Sequence, residues 1–167
     1  VLDAGCGGGV PVARILSRHY KVTGVDISEA QVRLAQEMVP EGNFICADMT
    51  KLCFREGSFD AICSYYAIIH VPREEHAGIL RDFYRILRPG GLALLCLGAG
   101  DLPESVEKYL NGVEMYWSHY DAKTNIGLLE ECGFSIIWHR LVKDSTDPKL
   151  KSVHLFVLAE KRKSPEA

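Results

Sequence analysis

The sequence predicts an α/β fold in which one doubly wound sheet of seven strands carries helices on both faces. Short apolar runs alternate with helical patterns of about 10–15 residues, which is typical of a largely parallel sheet. The first run leads directly into a glycine-rich turn, VLDAGCGGG. The last two runs, SIIWHRLV and VHLFVLAE, are joined by a polar loop around Asp147 and Pro148. That loop is too short for a crossover helix, so we expect the two strands to pair antiparallel.

The first half of the chain supplies three strands and two helices. Pro11 suits the first turn of the helix that follows the glycines. One face of that helix is predicted to carry Val12, Ile15, Leu16 and His19. KVTGVDIS is the second strand, and Ser28 with Gln31 forms a capping box for a helix that ends at Pro40. NFICAD is the third strand.

The second half of the chain continues the alternation. FDAICSYYAIIHV is the fourth strand, and Pro72 opens a helix that RPGG ends. The apolar face of this helix is predicted to hold Leu80, Phe83, Tyr84 and Leu87. LALLCLG is the fifth strand, and the aromatic-rich stretch 101–120 follows as an irregular segment. A helix from Asp121 to Cys132 precedes the last two strands. We expect one domain over residues 1–160 and a flexible tail over 161–167.

Composition excludes several classes of function. The 167 residues are 47% hydrophobic and 25% charged with a net charge of −3, so no basic surface favours nucleic acid as a partner. No apolar run approaches the roughly 20 residues that span a bilayer, and residues 1–20 do not have the pattern of a signal peptide. The six cysteines form no C-x-x-C pair, which favours free thiols in the cytoplasm over disulfides or a metal site. Nothing in the pattern indicates an oligomeric state.

The glycine turn lies where ligands bind in such sheets, at the carboxyl end of a strand. The dinucleotide pattern G-x-G-x-x-G does not fit, because the sixth position from Gly5 is Val10 and from Gly7 is Val12. The pattern D-x-G-x-G-x-G fits at Asp3, Gly5, Gly7 and Gly9. Asp26 ends the second strand about 20 residues further on, where a carboxylate can accept both ribose hydroxyls. Because an NAD site shares this last feature, Asp26 does not distinguish an NAD site from a site for another adenosine-containing cofactor.

Taken in order, five segments resemble the class I S-adenosylmethionine-dependent methyltransferases. They are VLDAGCGGG, VTGVDIS, FICADMTKLCFREGSFDAI, RILRPGGLALL and LLEECGF. The resemblance is greatest to the small-molecule group that includes ubiquinone and menaquinone biosynthesis enzymes (methyltransferase type 11). It implies a Rossmann-like sheet in the order 3-2-1-4-5-7-6 with strand 7 antiparallel. It also implies S-adenosylmethionine as cofactor, S-adenosylhomocysteine as product and no metal.

The resemblance also implies roles for particular residues. The residues expected to bind the cofactor are Asp3, Gly5, Cys6, Gly7, Asp26, Ile27, Asp48, Met49 and Tyr65. Asp26 is expected to bind the ribose diol and Ile27 to pack on the adenine. Asp48 is expected to accept from the adenine amino group, with the Met49 N–H donating to the ring. Without the resemblance, an N-cap for the following turn is the favoured interpretation of Asp48, and only the order of the motifs reverses this.

The acceptor side carries weaker signals, because methyl transfer by in-line displacement needs mainly alignment and a dry pocket. SYYA stands where amino methyltransferases of nucleic acids or glutamine carry D/N-P-P-Y, and no Pro-Cys pair occurs, so we expect a small-molecule acceptor. The candidate contacts are Tyr66, His70, Tyr116, Trp117, His119 and Tyr120, with Tyr109 nearby. His70 is also the candidate catalytic base. Packing of an irregular segment and a structural histidine are the alternatives.

Two other functions remain open from sequence. One is an NAD-dependent oxidoreductase on the same sheet, and the other is a non-catalytic methyltransferase-like binding subunit. The sequence begins within the first strand on Val1, without methionine, which predicts a fragment of a longer protein. In the family, one or two helices precede this strand and cover the cofactor. We therefore expect the N-terminal helices to be missing here and the fragment to turn over little acceptor.

Overall fold

The computed structural model describes residues 1–108, 112–143 and 152–162. Its strands are β1 (Leu2–Ala4), β2 (Thr23–Asp26), β3 (Asn43–Cys46), β4 (Phe59–Ser64), β5 (Leu87–Gly98), β6 (Leu102–Lys108), β7 (Glu114–His119), β8 (Phe134–Lys143) and β9 (Val153–Lys161). Its α-helices are α1 (Val12–Ser17), α2 (Glu29–Met38), α3 (Arg73–Ile86) and α4 (Ala122–Glu131). Two short 3-10 helices cover Met49–Lys51 and Ile68–His70.

The main sheet has seven strands in the order β3-β2-β1-β4-β5-β9-β8. The first five pair in parallel, and β9 pairs antiparallel with both β5 and β8. The sixth and seventh predicted strands are β8 and β9, so the predicted order 3-2-1-4-5-7-6 is confirmed. The loop around Asp147 and Pro148 lies outside the described residues.

Two separate apolar cores follow from this strand order. From β1 to β3 the chain moves in one direction along the sheet, and from β4 to β5 in the other, so right-handed crossovers place their helices on opposite faces. One core joins α3 and α4 to the central strands through Ile79, Leu80, Phe83 and Leu129. The other joins α1 and α2 to β2 and β3 through Ala13, Val32, Ala35 and Phe44.

The junction between α3 and β5 differs slightly from the prediction. The helix ends at Ile86, and Leu87, predicted for its apolar face, is the first residue of β5. Leu87 is nevertheless fully buried in the same core. The RPGG segment lies within β5, where the pairing with β4 shifts register between Phe59 and Ala61. Leu87 is therefore buried as the first residue of a strand, although the sequence pattern predicted it as the last turn of a helix.

The stretch 101–120 is not irregular, which corrects the sequence prediction. Strands β6 and β7 form a two-stranded antiparallel sheet apart from the main one, pairing Val106 with Tyr116 and Ser105 with Trp117. Local sequence does not predict β6 as a strand, because Pro103 and four charged or hydroxyl side chains interrupt it. The aromatic residues of β7 have high strand propensity, and their pairing overrides the weak preference of β6.

The end of β9 is held in the core by a lysine. Lys161 is 9% exposed, and its Nζ donates to the Leu87 carbonyl at 2.8 Å and lies 4.8 Å from the Tyr84 ring centroid. The last strand thus extends one residue into the segment that the sequence assigned to the tail, and residues 163–167 lie outside the described part.

All six cysteines are free, with Cys46 and Cys53 exposed. No helix within the described ranges has the length and apolar character needed to cross a bilayer.

Candidate active site

A cleft of about 930 Å³ opens at the carboxyl ends of β1, β2 and β4. The strand order reverses between β1 and β4, which is the position where open α/β sheets bind ligands. All nine residues predicted to bind the cofactor border this cleft: Asp3, Gly5, Cys6, Gly7, Asp26, Ile27, Asp48, Met49 and Tyr65. The sequence patterns thus converge on one surface.

The glycine turn forms the floor of the cleft. The backbone N–H groups of Gly5 and Cys6 both donate to the Val25 carbonyl, at 2.8 and 2.9 Å. Gly5 has φ +78°, and a Cβ there would lie 2.2 Å from the Cβ of Ala67 and 2.9 Å from the Cε of Met49. Only glycine therefore lets the β1 turn approach the β4 turn this closely.

Asp26 holds the same turn in place. Its Oδ2 accepts from the Gly7 N–H and its Oδ1 from the Ser28 N–H, both at 2.9 Å. Ser28 in turn accepts from the Gln31 N–H, so only one half of the predicted capping box forms. Each carboxylate oxygen has two lone pairs, so Asp26 retains the capacity to accept from a diol. The adjacent Ile27 side chain is 74% exposed beside the cleft.

Asp48 performs the capping role that the sequence left as an alternative. Its Oδ1 accepts from both the backbone N–H and the hydroxyl of Thr50, at 2.9 and 2.8 Å. These bonds lower the pKa of Asp48 and keep the carboxylate ionised. Both bonds use Oδ1, so Oδ2 is the atom that can accept from a ligand. N-capping and ligand binding are therefore compatible at this residue.

Asp3 has the most unusual environment in the cleft. The residue is 1% exposed, and its Oδ2 has no hydrogen-bond partner among the described residues. Burial, and secondarily the negative charge of Asp26, raise the pKa of Asp3 to about 7, against a smaller lowering by the Ala13 N–H. None of the described residues supplies a countercharge to Asp3, and a buried carboxylate without one favours a cationic ligand.

His70 is both hydrogen-bonded and accessible to the cleft. Its Nδ1 lies 2.8 Å from the Tyr116 carbonyl oxygen, and its ring centroid lies 4.3 Å from that of Trp117. A carbonyl only accepts, so Nδ1 carries the hydrogen. Burial lowers the pKa of His70, which keeps the ring neutral near pH 7. The tautomer therefore leaves Nε2 unprotonated, as a general base requires.

The predicted aromatic residues divide into two groups. Tyr65, Tyr66 and His70 border the cleft. Within the described part of the β6–β7 hairpin, Met115 is the residue that also borders it. The structure places Tyr116, Trp117, His119 and Tyr120 behind this lining. Trp117 packs on His70, His119 donates from Nδ1 to the Gly100 carbonyl at 2.7 Å, and Tyr120 lies under Arg73 at 4.9 Å. Tyr109 lies outside the described residues.

Tyr66 is held in a strained backbone conformation that the sequence did not indicate. It has φ +51°, which is rare for a bulky non-glycine residue and concentrates at functional sites. Its ring lies 4.6 Å from that of Tyr65 and 4.7 Å from that of His154. Tyr66 borders the cleft directly before Ala67, the residue that packs against Gly5.

Sequence reasoning missed part of the lining, which includes Gln31, Thr50, Lys51, Ala67, Pro72, Glu75 and Met115. Most of these residues immediately follow a predicted strand or begin a predicted helix, and this position was the available signal. Counting Glu75, four carboxylates border the cleft, with Lys51 as the one lysine or arginine side chain among the described lining residues. The site is therefore acidic. The described residues contain no cluster of three or more metal-ligating side chains.

Known proteins resemble this chain in both sequence and fold. The cycloartenol-C-24-methyltransferase of Arabidopsis thaliana is 32% identical over 164 residues, covering 89% of this chain and 48% of that protein. A structure of a SAM-dependent methyltransferase from Methanosarcina mazei matches with a TM-score of 0.85 at 24% identity, covering 98% of this chain and 92% of that one.

A third similar protein has a known ligand. The 1,6-didemethyltoxoflavin-N1-methyltransferase of Burkholderia thailandensis, solved with 1,6-didemethyltoxoflavin and S-adenosylhomocysteine, has a TM-score of 0.73 at 24% identity, covering 96% of this chain and 70% of that one. This structure therefore also agrees with the chain in fold. The chain spans about a third to about half of the length of the first curated relatives that it matches (30%, 34% and 48%).

The family profile described as "Methyltransferase domain" matches residues 1–91. This range contains the glycine turn, Asp26, Asp48 and the β4 turn that form the cleft. The same range also holds His70. With the strand order and the relatives above, the match shows that the chain belongs to the methyltransferase-domain family.

Proposed function

We propose that this chain transfers a methyl group from S-adenosylmethionine to a small-molecule acceptor by in-line displacement. The observation that carries the proposal is the glycine turn of β1, which the Asp26 carboxylate holds against the cleft at the point of strand-order reversal. The family match and the small-molecule methyltransferases among the relatives support it. Neither supports an NAD-dependent oxidoreductase or a non-catalytic subunit.

The residues present fit the cofactor. Asp26 would accept from the ribose hydroxyls, Ile27 would cover one face of the adenine, and Oδ2 of Asp48 would accept from its amino group. Met49, Cys6, Gly7 and Tyr65 would complete the surface, since all of them border the same cleft. When bound, S-adenosylmethionine supplies a methyl group already activated on a sulfonium. The chain's task is then to align the acceptor and exclude water.

The charge of the cleft restricts the acceptor. Asp3, Asp26, Asp48 and Glu75 would repel an anionic molecule, so a neutral or cationic acceptor is favoured and a nucleic acid is disfavoured. Apolar contacts from Val71, Pro72 and Met115 suit an uncharged ring or chain.

The six free cysteines support a reducing compartment such as the cytoplasm.

Titration calorimetry with S-adenosylmethionine, S-adenosylhomocysteine and NAD tests the proposal directly. We expect both adenosyl ligands to bind and NAD not to bind. A screen of small-molecule acceptors with labelled S-adenosylmethionine then tests turnover. A folded chain that binds neither adenosyl ligand would contradict the proposal.

A second prediction concerns His70, which we propose as the general base for an acceptor that carries its proton to the site. Its Nε2 would take the proton of the acceptor atom as that atom bonds to the methyl carbon and the bond from the methyl carbon to the donor sulfur breaks, with S-adenosylhomocysteine as the leaving group. Replacing His70 by Gln should lower kcat by about 10²–10⁴-fold with little change in cofactor affinity. Since the pKa of His70 is lowered, the wild-type rate should fall only at pH values below its ordinary titration range.

His119→Gln is the matched comparison, because His119 also donates from Nδ1 to a backbone carbonyl and lies behind the cleft lining. We expect this variant to keep the wild-type rate and pH profile. Equal losses of kcat in the two variants would indicate that both histidines act through packing and would refute a base at His70.

A further inference from the structure

The β6–β7 hairpin is joined to the start of α3 by a buried hydroxyl group. Ser118 is 0% exposed. Its Oγ donates to the Pro103 carbonyl at 2.6 Å and accepts from the backbone N–H of Arg73 at 3.0 Å. A hydroxyl both donates and accepts, so this one side chain meets the two needs at once. Ser118 therefore links both strands of the hairpin to a helix that begins 45 residues earlier in the chain.

The local sequence explains why both partners need this hydroxyl. The first N–H of a helix has no acceptor within that helix, and the N-cap of α3 is Pro72, which makes no side-chain capping bond. On the hairpin, the register shifts between Leu102 and Ser105. Two residues of β6, one of them Pro103, therefore lie opposite Ser118 alone, as in a β-bulge. Ser118 thus caps α3 from a distant strand and bonds the carbonyl at the bulge.

A second hydrogen bond joins the same two segments next to the cleft. His70 donates from Nδ1 to the Tyr116 carbonyl at 2.8 Å. His70 lies three residues before Arg73, and Tyr116 lies two residues before Ser118. One bond alone would allow β7 to rotate about it, whereas two neighbouring bonds fix its orientation. The Ser118 bond therefore determines where the Tyr116 carbonyl stands relative to the His70 ring.

We propose that Ser118 is a positioning residue for His70, because its bond to the Arg73 N–H holds the Tyr116 carbonyl against Nδ1. The inference rests on the proposed function, since it takes His70 as the base that receives the acceptor's proton on Nε2. Neither Ser118 nor Arg73 borders the cleft, so both would act through His70. If the carbonyl moves away, the ring can take the Nε2–H form, which prevails in free histidine. That form has no lone pair on Nε2 to accept a proton.

Arg73→Pro removes the donated N–H with little other cost to the backbone. Proline fits the first position of a helix, and Pro72 has ψ 129°, the extended conformation that a following proline requires. Arg73→Ala is the matched variant, because it also loses the ion pair with Asp101 but keeps the N–H. Ser118→Ala removes the acceptor of the same bond. Ser105→Ala is its control, since Ser105 contacts Glu107 within β6.

The tautomer of His70 is measured in the ligand-free protein by long-range nitrogen–proton NMR, with His70→Gln to assign its signals. We expect a protonated Nδ1 in wild type, Arg73→Ala and Ser105→Ala, and a mixture of both tautomers in Arg73→Pro and Ser118→Ala. A role of the bond in stability alone would lower the Tm and leave the tautomer unchanged. The wild-type tautomer in Arg73→Pro would therefore overturn the inference, and this variant decides the matter if Ser118→Ala does not fold.

Turnover of the acceptor found in the screen gives a second readout. Arg73→Pro should have a kcat about tenfold below that of Arg73→Ala, and Ser118→Ala about tenfold below that of Ser105→Ala. The dissociation constant of S-adenosylmethionine should stay the same in all four. The double variant Arg73→Pro with Ser118→Ala should lose no more than either single variant, because both remove one bond.

The outcomes separate this inference from the proposed function. A changed tautomer with an unchanged kcat would overturn the inference, because His70 would then not be the base, while methyl transfer itself would stand. Losses of kcat that add in the double variant would overturn it too, since the two residues would act separately. Failure of the wild-type chain to bind either adenosyl ligand would refute the proposed function and the inference with it.

Discussion

Replacing Gly5 by alanine should lower both the stability of the chain and its affinity for S-adenosylmethionine. The residue has φ +78°, where a side chain costs about 1–3 kcal/mol. The added Cβ would also lie 2.2 Å from the Cβ of Ala67, so the β1 and β4 turns must separate. Because both turns line the cleft, we expect at least a tenfold loss of affinity together with a lower Tm, measured by calorimetry and thermal unfolding.

Two further variants control this prediction. Gly78→Ala lies within α3, where an added Cβ meets nothing within 4 Å, so it should raise stability by about 0.5–1 kcal/mol. Gly5→Ala combined with Ala67→Gly removes one clash and keeps the unfavourable φ, so it should recover only part of the loss. Wild-type affinity and Tm in the single Gly5→Ala variant would show that the turn does not need its close approach.

Asp26→Ala should weaken binding of S-adenosylmethionine at least tenfold. Hydrogen bonds to a charged group contribute about 1.5–3 kcal/mol each, and the variant removes the proposed acceptor of the ribose hydroxyls. The structure adds a second cost, because the Gly7 and Ser28 N–H groups lose their common acceptor. We therefore also expect a lower Tm, which sequence alone did not predict.

Asp121→Ala distinguishes loss of stability from loss of binding. Asp121 likewise accepts a backbone bond, from the Thr124 N–H at 3.0 Å, as the N-cap of α4. Its replacement should lower the Tm because α4 loses its N-cap, with donor affinity unchanged. If Asp26→Ala resembled Asp121→Ala, with a lower Tm and an unchanged dissociation constant, Asp26 would be a structural anchor and its ribose role would be refuted.

The sheet order and the location of the cleft could be predicted from the sequence. Local patterns define each strand and helix, and the right-handed crossover rule leaves few ways to arrange them. The glycine turn and Asp26 were identifiable because their chemistry depends on spacing along one short βαβ unit, which the chain carries within its first 26 residues. Similarity to a known family supplied the cofactor and the roles that we propose for Asp48 and Ile27.

The tertiary structure decided the features that depend on contacts between distant segments. The tautomer of His70 is set by a carbonyl on Tyr116, 46 residues away, in a hairpin whose first strand has no local signal. The isolation of Asp3 arises because the described residues of β2, β4 and α1 around it supply no cation, which no spacing in the sequence reveals. Local preferences specify backbone conformation, whereas pKa values, tautomers and close approaches depend on which segments pack together. For this reason the sequence determined the fold and the residues of the proposed donor site, whereas packing determined the charge state of that site and the residues proposed to contact the acceptor.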